Sequence, residues 1–284
     1  MRVIPVIDLL GGQVVRGIAG RRDEYRPIAS QIAADARPAT VARALVEHFG
    51  FTNVYVADLD AIIHGKPDAR SWLEISATGL KLWVDAGVTN AQVGRAMIAP
   101  LLHAKVDFEL IVGLESLTSL DALLRLAKLA LPIVSLDLKG GVLQTPIETL
   151  KNAKPIDVSR ILREYPIGGL IVLDLADVGM NAGSSTIDLC RQISAECGHS
   201  FELISGGGVR GFDDLQALAD AGCSGALVAS ALHDGRLSRE VVQRCKQMEK
   251  RRGRSLGDVG SQAEPGSQNL RPPTPDSRFW PPLN

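Results

Sequence analysis

Two stretches decide the fold. Near the N-terminus the chain reads Val6-Ile7-Asp8-Leu9-Leu10-Gly11-Gly12, and about half a chain later Ser135-Leu136-Asp137-Leu138-Lys139-Gly140-Gly141. Each is an apolar run, then one carboxylate, then a glycine pair. Apolar runs of this length, rich in Val, Ile and Leu, read as strands buried on both faces. A carboxylate followed by paired glycines marks the point where a strand opens into a loop. One such Asp in each half predicts a duplicated fold with a two-carboxylate site.

The repeat extends in register. Asn53-Val54-Tyr55-Val56-Ala57-Asp58-Leu59 pairs with Leu170-Ile171-Val172-Leu173-Asp174-Leu175. The segment Trp83 to Thr89 pairs with Leu203 to Arg210, and Leu110-Ile111-Val112-Gly113 with Ala226-Leu227-Val228-Ala229. That makes four strand-like units per half, with a period far longer than the roughly 20–50 residues of solenoid repeats. Helical patterns lie between them. Thr40 to Phe49 carries Val41, Ala44, Leu45 and Phe49 on one face and stops at Gly50. Ser119 is placed to cap a helix running to Ala130, and Asp213 to Ala221 repeats the pattern before Gly222. Strands alternating with helices imply parallel βαβ units. Eight units predict a closed (β/α)₈ TIM barrel built from two half-barrel repeats; an open doubly wound sheet is the alternative that the repeat disfavours.

Composition narrows the partners. The 284 residues are 45% hydrophobic with a formal net charge of −1. A barrel of about 250 residues accounts for all but a tail. The expected organisation is a barrel over 1–248 and a disordered tail over 249–284, rich in Gly, Ser, Pro and charge. Near-neutral charge gives no reason to expect a nucleic-acid partner. No long apolar run or leader pattern suggests a membrane, and Cys190, Cys197, Cys223 and Cys245 form no CxxC pair. A cytoplasmic protein with reduced thiols is expected. The five histidines show no metal-ligand spacing, and Gly206 to Gly208 lacks the dinucleotide-binding spacing, so neither metal nor cofactor is indicated.

In such barrels chemistry sits at the C-terminal ends of the strands. Asp8 and Asp137 fall there, related by the repeat, and two carboxylates in one pocket can serve as proton acceptor and donor. Ser205-Gly206-Gly207-Gly208-Val209 follows the seventh strand-like unit and precedes a helix. Glycines bring backbone close to a phosphate, and the helix N-terminus adds donors. Ala229 and Ser230, after the eighth unit, supply further polar groups. Asp58, Asp60 and Asp174 near strand ends are candidates for orienting substrate or Lys139, with structural hydrogen bonding as the plainer alternative.

These residues, together with Ile4-Pro5, Val15-Arg16 and Val56-Ala57-Asp58-Leu59-Asp60, resemble the histidine-biosynthesis barrels HisA and HisF, and HisA more closely, from about Arg2 to Lys246. The resemblance implies an Amadori rearrangement of a phosphorylated aminoaldose to an aminoketose, with Asp8 as base and Asp137 as acid. The expected site adds Arg16, Asp58, Lys139 and Asp174 for substrate, and Gly206, Gly207, Gly208, Ala229 and Ser230 for phosphate. Barrels of the HisA type bind one phosphate in each half, and their first-half loop usually reads Gly-Gly-Gly-Ile-Arg. Here Asp85-Ala86-Gly87-Val88-Thr89 stands in that place and Glu115 adds a second negative charge. Leu173, Val178-Gly179-Met180 and Leu143-Gln144-Thr145-Pro146 depart from the family pattern as well. These departures leave two alternatives. One is a related lyase or transferase on a singly phosphorylated substrate outside histidine synthesis, one-carbon cofactor metabolism included. The other is a barrel that binds a phosphorylated ligand without turnover.

Overall fold

A computed structural model describes residues 1–180 and 183–247; the expected tail lies outside the described residues. The eight parallel barrel strands are β1 (Arg2–Leu10), β2 (Asn53–Asp58), β3 (Lys81–Asp85), β4 (Phe108–Gly113), β5 (Ile133–Lys139), β6 (Gly169–Asp174), β7 (Glu202–Gly206) and β8 (Gly225–Val228). Each pairs with its sequence neighbour, and β8 returns to pair with β1. The sheet therefore closes, and the open-sheet alternative is excluded. Between the strands run α1 (Pro38–Phe49), α2 (Ala69–Ser76), α3 (Ala91–His103), α4 (Leu120–Ala127), α5 (Pro155–Leu162), α6 (Ile187–Cys197) and α7 (Phe212–Asp220). A last helix covers 239–247.

The helix ends follow their local chemistry. Gly50 ends α1 in the left-handed conformation at φ 66°, and its N–H returns to the Val46 carbonyl. The Ser119 hydroxyl accepts from the Ala122 N–H at the start of α4. The four cysteines are free and buried.

Strand pleating sorts the side chains. A period of two sends alternate residues into the barrel and toward the helices. The barrel interior takes apolar residues from every strand into one cluster: Ile4, Tyr55, Trp83, Ile111, Ile133, Ile171, Ile204 and Leu227. The opposite faces pack against the helices in a larger apolar cluster that includes Val54, Val56, Leu82, Val84, Leu136 and Val172. Two residues beyond Tyr55, Trp83, Ile171 and Ile204, the same pleat delivers Ala57, Asp85, Leu173 and Gly206. It carries Ile4 through Val6 to Asp8, and Ile133 through Ser135 to Asp137. The interior face thus ends in acidic groups at the mouth.

The half-barrel repeat holds to the residue. Asp8 is paired with Ala57, Ala57 with Asp85, and Asp85 with Ile111. In the other half Asp137 is paired with Leu173, Leu173 with Gly206, and Gly206 with Leu227. Asp8 and Asp137 are therefore equivalent positions on β1 and β5, four strands apart on the closed ring.

Candidate active site

At the C-terminal mouth the strands and their loops enclose a cavity of about 300 Å³. Asp8, Asp85 and Asp137 project into it from β1, β3 and β5, joined by Glu115 after β4 and Lys139 at the end of β5. The loop after β1 adds Arg22 and Tyr25, and Tyr55 closes the floor. Gly207, Gly208, Val209, Ala229 and Ser230 line the second-half side, and Leu173, Leu175 and Val178 give it an apolar wall.

Asp8 and Asp137 share the cavity in unlike surroundings. Burial lifts the Asp8 carboxyl from 3.8 to about 7, with the Arg22 guanidinium opposing the rise. Asp137 is 6% exposed, and burial pushes it well above the usual carboxylate range. Glu115 and Asp85 push it further; the Ser135 hydroxyl, donating to Oδ1 at 2.8 Å, and Arg22 pull the other way. Both carboxyls therefore hold a proton more tightly than an exposed Asp, and Asp8 titrates near 7. Unlike environments of this kind separate a proton donor from an acceptor.

The first-half side is acidic and internally bonded. Asp85, 8% exposed, accepts from the Tyr55 hydroxyl at 2.9 Å and from the Gly87 N–H at 3.2 Å. Burial is the main cause that raises it to about 6. Arg22 reaches across the mouth to Glu115, Nη2 to Oε1, at 3.0 Å. That guanidinium is the intervening cation that two like charges beside one cavity require.

Several expected roles are corrected. For Asp58 and Asp174 the structure favours structural hydrogen bonding over a substrate role: Tyr55–Ala57 and Ile171–Leu173 take the inward pleat, so both carboxylates turn outward. Asp58, 0% exposed, accepts from the Ala61 and Asp68 N–H groups, fixing the short helix after β2. Asp174, 2% exposed, accepts from Gly140, Gly141 and Ala176 N–H groups and so shapes the loop after β5. Asp60 does the matching job in the first half, accepting from the Gly11 N–H at 2.6 Å. Arg16 is exposed on the strand Gln13–Arg16 and donates to the Gly179 carbonyl, outside the cavity lining.

The glycine loop is also refined. Gly206 does not line the cavity; its carbonyl accepts from the Ser184 hydroxyl. The N-terminus of α7 does not reach in either. Asp214 in its first turn accepts from the Arg210 N–H and guanidinium, and the lining stops at Val209. Lys139, Gly207, Gly208, Ala229 and Ser230 do reach the cavity. Arg22, Tyr25 and Tyr55 were not anticipated. Tyr55 was legible from its pleat, two residues before Ala57 on the inward face. Arg22 sits in a charged loop, Arg21-Arg22-Asp23-Glu24, whose path no periodicity gives.

A closed barrel with two repeat-related carboxylates over one cavity defines the class: a (β/α)₈ protein with its site at the strand C-termini. A family model described as histidine biosynthesis protein matches residues 2–238, and the chain belongs to that family. An uncharacterized protein of Methanocaldococcus jannaschii is 31% identical over 85% of this chain and 97% of its own length. Two relatives are named 1-(5-phosphoribosyl)-5-((5-phosphoribosylamino)methylideneamino) imidazole-4-carboxamide isomerase. That of Sorangium cellulosum is 29% identical over 83% of this chain and 95% of its own; that of Ruthia magnifica is 27% identical over 86% and 98%. No helix among the described residues is long and apolar enough to cross a membrane, and no group of three or more His, Cys, Asp or Glu among them could hold a metal ion.

Proposed function

We propose that the protein is an aldose–ketose isomerase of the HisA type, acting on a phosphorylated aminosugar with Asp8 as base and Asp137 as acid. The observation that carries the reading is the pair of register-equivalent strand-end carboxylates that line one cavity in unlike surroundings. Protonated Asp137 donates to the ring oxygen as the C1–O bond breaks and the nitrogen lone pair forms C1=N. The Asp8 carboxylate takes the proton from C2; the C–H electron pair becomes the C1–C2 double bond and the C1=N pair returns to nitrogen. Gain of a proton at C1 and loss of the proton on the C2 oxygen leave the C2 ketone. No oxidant or reductant is needed. General acid and base help of this kind contributes about 10²–10⁴-fold each.

The substrate's phosphate is assigned to the second-half side, where Gly207, Gly208, Ala229 and Ser230 line the cavity beside apolar residues. Lys139 at the rim supplies a cation for it or for a substrate hydroxyl. The acidic first half favours a second reading: a lyase or transferase that anchors a different phosphate compound in the same second-half seat. The test is conversion of the substrate of the isomerase relatives by wild type, Asp8→Asn and Asp137→Asn. Turnover lost in both folded variants supports the isomerase. Turnover that survives either change refutes the proton-transfer roles. A folded wild type that leaves that substrate untouched moves the reading to the second alternative.

A further inference from the structure

We infer that Ser184, together with the Gly183 backbone, is a positioning residue for the phosphate. It aims the Gly207 and Val209 N–H groups into the cavity by holding the carbonyls of the same peptide units from behind. The inference rests on the proposed function for the phosphate in the second-half seat.

The segment 183–186 leads into α6 and lies against the loop after β7. The Ser184 hydroxyl donates to the Gly206 carbonyl at 3.1 Å, and the Gly183 N–H donates to the Gly208 carbonyl at 3.2 Å. No peptide bond among the described residues is cis. A trans peptide carries its C=O and its N–H on opposite edges of one plane. Holding the Gly206 carbonyl toward Ser184 therefore turns the Gly207 N–H away from it. Holding the Gly208 carbonyl toward Gly183 does the same for the Val209 N–H. Gly207, Gly208 and Val209 line the cavity. Among the described residues no main-chain carbonyl accepts from the Gly207 or Val209 N–H. Main-chain N–H groups are rarely left without a partner, and successive ones turned to one side form an anion-binding concavity.

Ser184 is itself braced. Its Oγ lies 2.7 Å from the Thr186 Oγ1, which lies 2.7 Å from the Ser205 Oγ, and Ser205 donates to the Val172 carbonyl at 2.7 Å. Thr186 and Ser205 are both buried. Thr186 stands at the N-cap of α6, yet its side chain caps nothing there, because the hydroxyl serves this row instead. Three hydroxyl hydrogens serve four contacts, so the row acts as a unit. On the other side Asp177 Oδ2 accepts from the Ser185 N–H and hydroxyl, each at 2.7 Å. The segment is thus pinned both to the loop after β6 and to the buried end of β7. The two donors are oriented before a ligand arrives, and such preorganisation spares the ligand the cost of ordering them.

The test titrates the full chain with inorganic phosphate and follows the Gly207 and Val209 amide resonances by NMR, for wild type, Ser184→Ala and Ser184→Thr. In wild type both amides are expected to respond as phosphate binds. Ser184→Ala leaves the Gly206–Gly207 peptide unheld, and phosphate affinity should fall by at least about fivefold, because the ligand must then order that peptide itself. Ser184→Thr keeps the hydroxyl and should bind phosphate as wild type does. Thr186→Val removes the brace instead and should weaken binding in the same direction, which keeps a reading where Ser184→Ala does not fold. Ser184→Ala that binds phosphate like wild type, or Ser184→Thr that loses as much as Ser184→Ala, overturns the inference. A wild type whose two amides ignore phosphate refutes the second-half seat of the proposed function instead. The ligand-free spectra then decide for Ser184: a Gly207 amide displaced in Ser184→Ala but not in Ser184→Thr supports its hold on the loop, and no difference overturns it.

Discussion

Replacing Asp8 with Asn should stabilise the fold at alkaline pH while removing turnover. Burial holds this carboxyl at about 7, against 3.8 for an ordinary Asp. A rise of about three pKa units corresponds to about 4 kcal/mol. Asp8 retains some solvent contact at the mouth, so about 1–3 kcal/mol is the working figure after screening. The sign follows from proton linkage. The native state binds the Asp8 proton more tightly than the unfolded chain does. That contribution is fully present below the unfolded value of 3.8 and is lost as pH rises through about 7. Above that the carboxylate is charged in both states, and its burial is a constant penalty. Asn carries no such penalty. Urea unfolding of wild type and variant near pH 5 and pH 8 reads the difference, and the advantage of the variant should grow toward the higher pH. A variant no more stable than wild type at the higher pH, or an advantage that shrinks between the two, would refute the account of Asp8 as a carboxylate held against its solvation.

Three further outcomes are expected. The pH profile of kcat/KM should be bell-shaped, rising as Asp8 ionises near 7 and falling at higher pH where Asp137 loses its proton; a profile flat from pH 5 to 9 contradicts the acid–base pair. Arg22→Met removes the cation that favours ionised Asp8, so the acid limb should move to higher pH; an unmoved limb means that Arg22 does not act on Asp8. Gly208→Ala forces a Cβ against the Gly183 carbonyl at φ +68°. It should weaken phosphate-ligand binding and cost about 1–3 kcal/mol of stability, which ligand titration and thermal unfolding would check.

Much of this was legible in the chain because a strand's burial and its terminal carboxylate are local features. Asp8 and Asp137 were found by repetition alone, since the duplicated segments share a pattern that survives without any contact being known. The choice between substrate and structural roles for Asp58 and Asp174 also rests on a local cause. A strand end offers two faces, and parity with Tyr55–Ala57 and Ile171–Leu173 sends these two carboxylates outward. Arg16 failed for a different reason: the antiparallel return of Gln13–Arg16 decides which way it points. Asp85 and Glu115 were visible as charges. What they do depended on partners far away in sequence, Tyr55 and Arg22.

Local patterning along the chain specifies the barrel, its two-fold internal repeat and the two candidate catalytic carboxylates. Alternating burial and helical periodicity act over a few residues, and the repeat doubles every signal. Barrel closure sets the proton affinities, the Arg22–Glu115 pair across the mouth and the hydrogen bond from Tyr55 to Asp85. Each of these depends on desolvation and on charges brought within a few ångströms by closure of the barrel, and nothing in the linear order of residues measures either.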